Sequence, residues 1–171
     1  MTLSRRLDGG SNNAVETVLH DRIQELREQF PPGSRSATIP ALRLAQEQYG
    51  WLPPQAIREV ADALELTPAY CHAVASFYDM FHLEPVGEHT VEVCTNVCCG
   101  LAGAQAVLEA FERELGIGPG ETTTDGVVTL RAVECLGGCS TPTIVAVDHR
   151  YRQSVTADDV PAIVQELRGN G

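Results

Sequence analysis

Cys94, Cys99, Cys135 and Cys139 stand in two close pairs, C-x4-C and C-x3-C, with 35 residues between the pairs. Two pairs far apart in sequence suit four thiolates converging on one metal centre. Thiolate-only sites select zinc or iron–sulfur clusters. Both gaps are wider than the two-residue gap usual in zinc knuckles. A four-thiolate zinc site and disulfides remain as alternatives to a [2Fe–2S] cluster at this level. A thioredoxin-type dithiol enzyme needs C-x-x-C, and no two cysteines of the chain have that spacing.

Each pair must be held at the end of a secondary-structure element. His89 to Cys94 alternates as a strand that ends on the first cysteine, and Cys99 falls in the loop before a helix over Gly103 to Leu115. Val127 to Glu134 reads as the next strand, ending at Cys135. Cys139 lies in the loop before a strand over Thr143 to Asp148. Gly100, Gly137 and Gly138 would let the backbone wrap a bulky centre. Arg150 to Val155 is a further strand, and Thr156 caps a last helix through Val160, Ile163, Val164 and Leu167. The order β-α-β-β-β-α predicts a small thioredoxin-like α/β domain over residues 89–171.

Upstream, the pattern is helical. Val15, Val18, Leu19, Ile23, Leu26 and Phe30 form a stripe ended by Pro31–Pro32–Gly33. A second helix spans Ile39 to Tyr49, with Gly50 as its stop, and a third runs from Pro53–Pro54 to about Leu64. The fourth starts with Thr67 as N-cap and Pro68 at the first helical position, and runs towards Met80. The chain is thus expected to be α+β: a flexible tail over residues 1–13, a four-helix bundle over residues 14–82, a linker from Leu83 to Glu88, then the thioredoxin-like domain.

Composition excludes several functions. The 171 residues carry a net charge of −11, against the clustered basic surface that nucleic acid or anionic membrane requires. All 12 basic residues are arginine, so there is no lysine for a Schiff base or a Walker-type phosphate loop. No apolar run has the length of a membrane span, and the first residues lack a secretory h-region. Six cysteines in an unexported chain favour metal ligation over disulfides.

The segments CTNVCCGLAG (94–103) and ECLGGC (134–139) resemble the [2Fe–2S] signature of the 24 kDa subunit of respiratory complex I, the E-type family of NADH-quinone oxidoreductase subunits. The helical half, ALRLAQEQYGWLPPQAIREVADALELTPAYCHAVASFYDMF (41–81), is similar to the same family, including its Phe-Tyr-x-x-Phe ending. The gamma subunit of NAD-dependent formate dehydrogenases and the matching subunit of NAD-reducing hydrogenases are close relatives of that family. The resemblance, over about residues 15–168, implies that Cys94, Cys99, Cys135 and Cys139 ligate one [2Fe–2S] cluster. It further implies a partner flavoprotein subunit of the 51 kDa type that binds FMN and NADH. The cluster would accept an electron from that FMN, in a hydrophilic arm that sits in the cytoplasm, peripheral to the inner membrane. The chain itself carries no dinucleotide G-x-G-x-x-G fingerprint and is not expected to turn over NADH alone.

Two features depart from the family pattern. Cys98 directly precedes Cys99, where relatives usually lack a cysteine, and the stretch after Cys139 (Ser140-Thr141-Pro142) is one residue shorter. Cys98 is an idle small side chain, a swap ligand or an oxidation-prone thiol; the family spacing, which already uses Cys99, favours the idle reading. Cys71, inside the fourth helix, reads as a core thiol. His20, His72, His82, His89 and His149 show no spacing that builds a metal face. Phe77, Tyr78 and Phe81 fit core packing or a docking patch equally, with Tyr78 the better interface candidate.

Overall fold

The computed structural model describes residues 12–33 and 35–169. The chain divides after Pro85 into two compact units. The expected tail lies outside the described residues except for Asn12 and Asn13, which open a helix rather than extend a tail.

The first unit is built from four helices: α1 (Asn12–Arg27), α2 (Thr38–Tyr49), α3 (Pro54–Leu64) and α4 (Pro68–Phe77). Leu19 and Ile23 of α1 are fully buried, whereas Val18 is 55% exposed and stands off the expected stripe. The shared core is rich in small residues. Ala41, Ala45, Ala56, Ala61 and Ala63 pack with Leu42, Leu52, Val60 and Cys71, so the helices approach closely. Gly50 ends α2 at φ 78°, a backbone conformation that costs a side chain but not glycine, and its N–H returns to the Gln46 carbonyl at 2.7 Å. The stretch after α4 is tied back by Gln46. Its amide donates to the Met80 carbonyl at 2.9 Å and accepts from the His82 N–H at 2.7 Å.

Thr67 is the N-cap of α4, its side chain accepting the Tyr70 N–H at 3.3 Å. Thr67→Ala removes that side-chain acceptor and lowers stability by about 1 kcal/mol, read as a shift in the urea midpoint at constant slope. The fourth helix stops at Phe77, short of Met80, because Tyr78 turns extended (φ −101°, ψ 121°). That turn divides the aromatic trio. Phe81 is buried in the core, whereas Phe77 is 79% and Tyr78 38% exposed, their rings meeting edge to face at 5.0 Å.

The second unit holds a four-stranded sheet in the order β2-β1-β3-β4. β1 is His89–Cys94, β2 Val128–Val133, β3 Val145–Val147 and β4 Arg150–Arg152. β1 pairs in parallel with β2, and β3 is antiparallel to both β1 and β4. Between β1 and β2 the chain forms α5 (Val97–Leu101) and α6 (Ala104–Leu115). A 3-10 turn at Ala157–Asp159 leads into α7 (Val160–Gly169). There the Asp159 carboxylate accepts the Thr156 N–H at 2.8 Å and the Thr156 hydroxyl at 2.7 Å.

The buried face of α6 (Val107, Leu108, Ala110, Phe111, Leu115) and that of α7 (Val160, Ile163, Val164, Leu167) share one core with Val91, Val93, Val128, Leu130, Val145 and Val147. These strand residues alternate along β1, β2 and β3, so both helices cover one face of the sheet. β2, β3 and β4 are each shorter than the sequence suggests. Asp148 and His149 both take positive φ (48° and 63°), which closes a two-residue hairpin directly after Val147. The Asp148 carboxylate fixes that corner, accepting the Thr90 N–H at 2.9 Å and meeting His89 Nδ1 at 2.7 Å.

Candidate metal centre

The parallel pairing of β1 with β2 decides where the cysteines meet. Cys94, the last residue of β1, is in register with Val133, the last residue of β2. Both strands therefore end at the same edge of the sheet, and Cys135 leaves β2 beside Cys94. The Thr95 N–H extends the ladder to the Val133 carbonyl at 2.9 Å. On the other side of β1, the Cys94 N–H donates to the Ile144 carbonyl at 3.1 Å. This draws in the loop that carries Cys139. One edge thus gathers three chain segments that are remote in sequence.

Cys99 arrives by α5, a helix that the sequence pattern presents as loop. Asn96 caps it, its side-chain oxygen accepting the Val97 N–H at 2.8 Å. Adjacent helical residues point about 100° apart, so Cys98 and Cys99 face different ways. Cys99 turns inward, 1% exposed, against Cys94, Ala104 and Ile144. Cys98 is only partly buried, and Cys135 and Cys139 are exposed. Cys94 and Cys99 pack together in one small buried cluster with Ala104 and Ile144. Among the described residues, no three His, Cys, Asp or Glu side chains gather tightly enough to enclose a single metal ion.

Backbone donors are aimed at the sulfurs. The Gly137 N–H reaches Cys135 Sγ at 3.3 Å, and Gly137 sits at φ 76°, which makes that approach inexpensive. Burial pushes the Cys94 thiol up, but N–H groups of Asn96 and Leu136, with the Cys99 thiol, outweigh it and hold Cys94 below its usual value. Burial pushes Cys99 up; the Ile144 backbone opposes this, while neighbouring Cys94 and Cys98 add to it. The neighbouring Cys98 thiol favours the protonated form of Cys139 and raises it. Such amide–sulfur contacts stabilise thiolates and tune any centre they hold. Asn96, Leu136 and Ile144 are site residues that a search for ligand types does not find. Only Asn96 carries a sequence signal, as an Asx N-cap before the vicinal cysteines.

The glycines divide by role. A Cβ on Gly100 would make ordinary contact at 3.6 Å from the Thr95 carbonyl, so Gly100 is not forced by space. A Cβ on Gly138 would stand 2.6 Å from Ile144 Cγ1 and 2.7 Å from Cδ1. Ile144 is fully buried against Cys94 and Cys99 and has little room to yield. Gly138→Ala is expected to destabilise the chain by about 1–3 kcal/mol through overpacking, measured by urea denaturation. Cys71 lies fully buried in the core of the first unit.

A thioredoxin-like sheet with cysteines at the ends of its strands and in the following loops defines the class, and sequence comparison agrees with it. The profile of the thioredoxin-like [2Fe–2S] ferredoxins matches residues 23–168, and the chain belongs to that family. It is 39% identical over 150 residues to NADH-quinone oxidoreductase subunit 2 of Thermus thermophilus, covering 86% of this chain and 83% of that one. It is 40% identical over 151 residues to the second E-type NADH-quinone oxidoreductase subunit of Rhizobium meliloti, covering 88% and 89%. An air-oxidised NAD+-reducing [NiFe]-hydrogenase shares the fold with TM-score 0.67 at 22% identity, over 75% of this chain and 23% of the hydrogenase chain. No helix among the described residues is long and apolar enough to cross a membrane.

The family implies a [2Fe–2S] cluster, and the donors present fit it. Soft sulfur is offered from the end of β1, from α5 and from the loop between β2 and β3, and amide N–H groups are directed at Cys94, Cys99 and Cys135.

Proposed function

We propose that this chain is the electron-transfer subunit of an NADH:quinone oxidoreductase peripheral arm and carries one [2Fe–2S] cluster on Cys94, Cys99, Cys135 and Cys139. The reading rests on one observation: these cysteines share a sheet edge in a chain similar, over most of its length, to NADH-quinone oxidoreductase subunits. Cys94 and Cys99, already in contact, would hold one iron, and Cys135 and Cys139 the other. When bound, the cluster supplies a reversible one-electron site for an electron leaving the FMN of a partner flavoprotein of the 51 kDa type, which also binds NADH.

The chain's own residues hold and tune. The N–H groups of Asn96, Leu136, Gly137 and Ile144 offset negative charge on sulfur, and Ile144 with Ala104 excludes water from the Cys94–Cys99 side. Residues 14–82 act as a four-helix bundle and residues 89–171 as the cluster domain. Exposed Phe77 and Tyr78 are assigned to contact with other hydrophilic-arm subunits, and Phe81 to the core. The assembly is cytoplasmic, attached to the inner membrane only through the complex.

The test mixes the loaded chain with its flavoprotein and a single equivalent of NADH under anaerobic conditions. The visible absorption of the cluster is expected to bleach only when the flavoprotein is present. Bleaching by NADH without the flavoprotein, or none with it, contradicts the proposal.

A further inference from the structure

We infer that Arg131 keeps the cluster easy to reduce by neutralising Glu92, a buried carboxylate that shares one face of β1 with Cys94. This rests on the reading of Cys94 as a cluster ligand. Arg131 Nη1 donates to Glu92 Oε1 at 2.9 Å. The two residues are register partners on the parallel strands β1 and β2.

The strand places the pair beside the sulfur. Val91 and Val93 of β1 enter the core shared with α6 and α7. Side chains alternate along a strand, so Glu92 and Cys94 point to the opposite face. Cys94 accordingly packs with Ile144, outside that core. Residues two positions apart on a strand are separated by about 6.6 Å. Arg131 stands in the same relation to Val133, the register partner of Cys94. The ion pair is therefore one side-chain step along the sheet from a ligand.

Packing gives no reason for a charge there. Glu92 is 7% exposed, between two fully buried valines. A buried ion pair adds little stability over apolar side chains of the same size. Its electrostatic effect, by contrast, is preserved by burial. Glu134, next to Cys135, is exposed, and water and salt damp its charge; Glu92 is shielded from both. Reduction adds one electron, and so one negative charge, at the sulfurs. A lone carboxylate at this range opposes that charge, and a carboxylate paired with a guanidinium does not. The pair itself gains and loses neither electron nor proton.

The experiment is an anaerobic potentiometric titration of the cluster-loaded full-length chain at pH 8, with dithionite as reductant and EPR as readout. Glu92→Gln removes the carboxylate charge and leaves the guanidinium, so the midpoint potential is expected to rise. Arg131→Gln leaves the carboxylate charge and is expected to lower it. Each shift is expected to change the ratio of reduced to oxidised chain at a fixed potential by about tenfold, which for one electron is about 59 mV. The double variant Glu92→Gln, Arg131→Gln and the charge-conserving Arg131→Lys are expected to stay close to the wild type. Shifts of the two single variants in the same direction, or no shift in either while the EPR spectrum is normal, overturn the role of the pair and leave the cluster assignment standing. If circular dichroism shows one single variant unfolded, the sign of the shift in the other, set against Arg131→Lys, decides. A wild-type chain that takes up no [2Fe–2S] cluster overturns the ligand reading itself, and this inference with it.

Discussion

Cys99→Ala is expected to leave the purified chain colourless after reconstitution with iron and sulfide, while Cys98→Ala turns brown like the wild type. The two residues are neighbours, yet their surroundings differ completely. Cys99 is 1% exposed, packs with Cys94, Ala104 and Ile144, and has the Ile144 backbone directed at its sulfur. Those features suit a ligand held in place before its metal arrives. Cys98, about 100° further round the helix, stands outside that buried cluster and is only partly buried. Losing one of four ligands removes a whole coordination position, so loading falls to background rather than by a fraction. Visible absorption and the EPR spectrum of the reduced protein read the outcome. A normal spectrum from Cys99→Ala would transfer the ligand role to Cys98.

Phe111→Ala is expected to cost about 3–5 kcal/mol in unfolding free energy. Phe111 is fully buried at the centre of α6, packed with the inner residues of β1, β2 and β3. Truncation leaves a cavity that neighbouring strands, fixed by their ladders, cannot collapse to fill. Typical domains have about 5–15 kcal/mol in total, so the loss is a large share of what holds this one together. The effect extends to the site, since α6 follows α5 across Ala102 and Gly103 and anchors the segment that carries Cys99. Urea denaturation of the cluster-free variant measures the cost, and a lower yield of loaded protein is the expected companion.

Parts of the architecture are legible from residue order alone. The alternation of β1 and the stripe of α6 have the periods of their elements, and Cys94 closes β1 as its pattern predicts. Short elements are not legible. α5 has five residues (Val-Cys-Cys-Gly-Leu), too few for a helical period to declare itself, and only Asn96 marks its start. The pattern carries α4 too far because the apolar run continues past Phe77, while the chain turns extended at Tyr78 to bury Phe81. It makes β3 and β4 too long because nothing in their composition announces positive φ at Asp148, just past β3, or at Ser154, just past β4.

The site shows the same division. That Cys94 and Cys135 both follow strands is readable. That they lie side by side depends on β1 and β2 being parallel and in register at Cys94 and Val133, a tertiary fact. Gly138 stands out in the sequence for backbone freedom, but what its position demands is space beside Ile144.

The central claim is that this sheet edge holds one [2Fe–2S] cluster, and its most direct test is iron and acid-labile sulfide analysis of the anaerobically purified chain, with EPR before and after dithionite reduction. The account predicts two irons and two sulfides per chain, silence in the oxidised state and a rhombic or axial spin-one-half signal on reduction. A colourless protein with one zinc and no sulfide would contradict it.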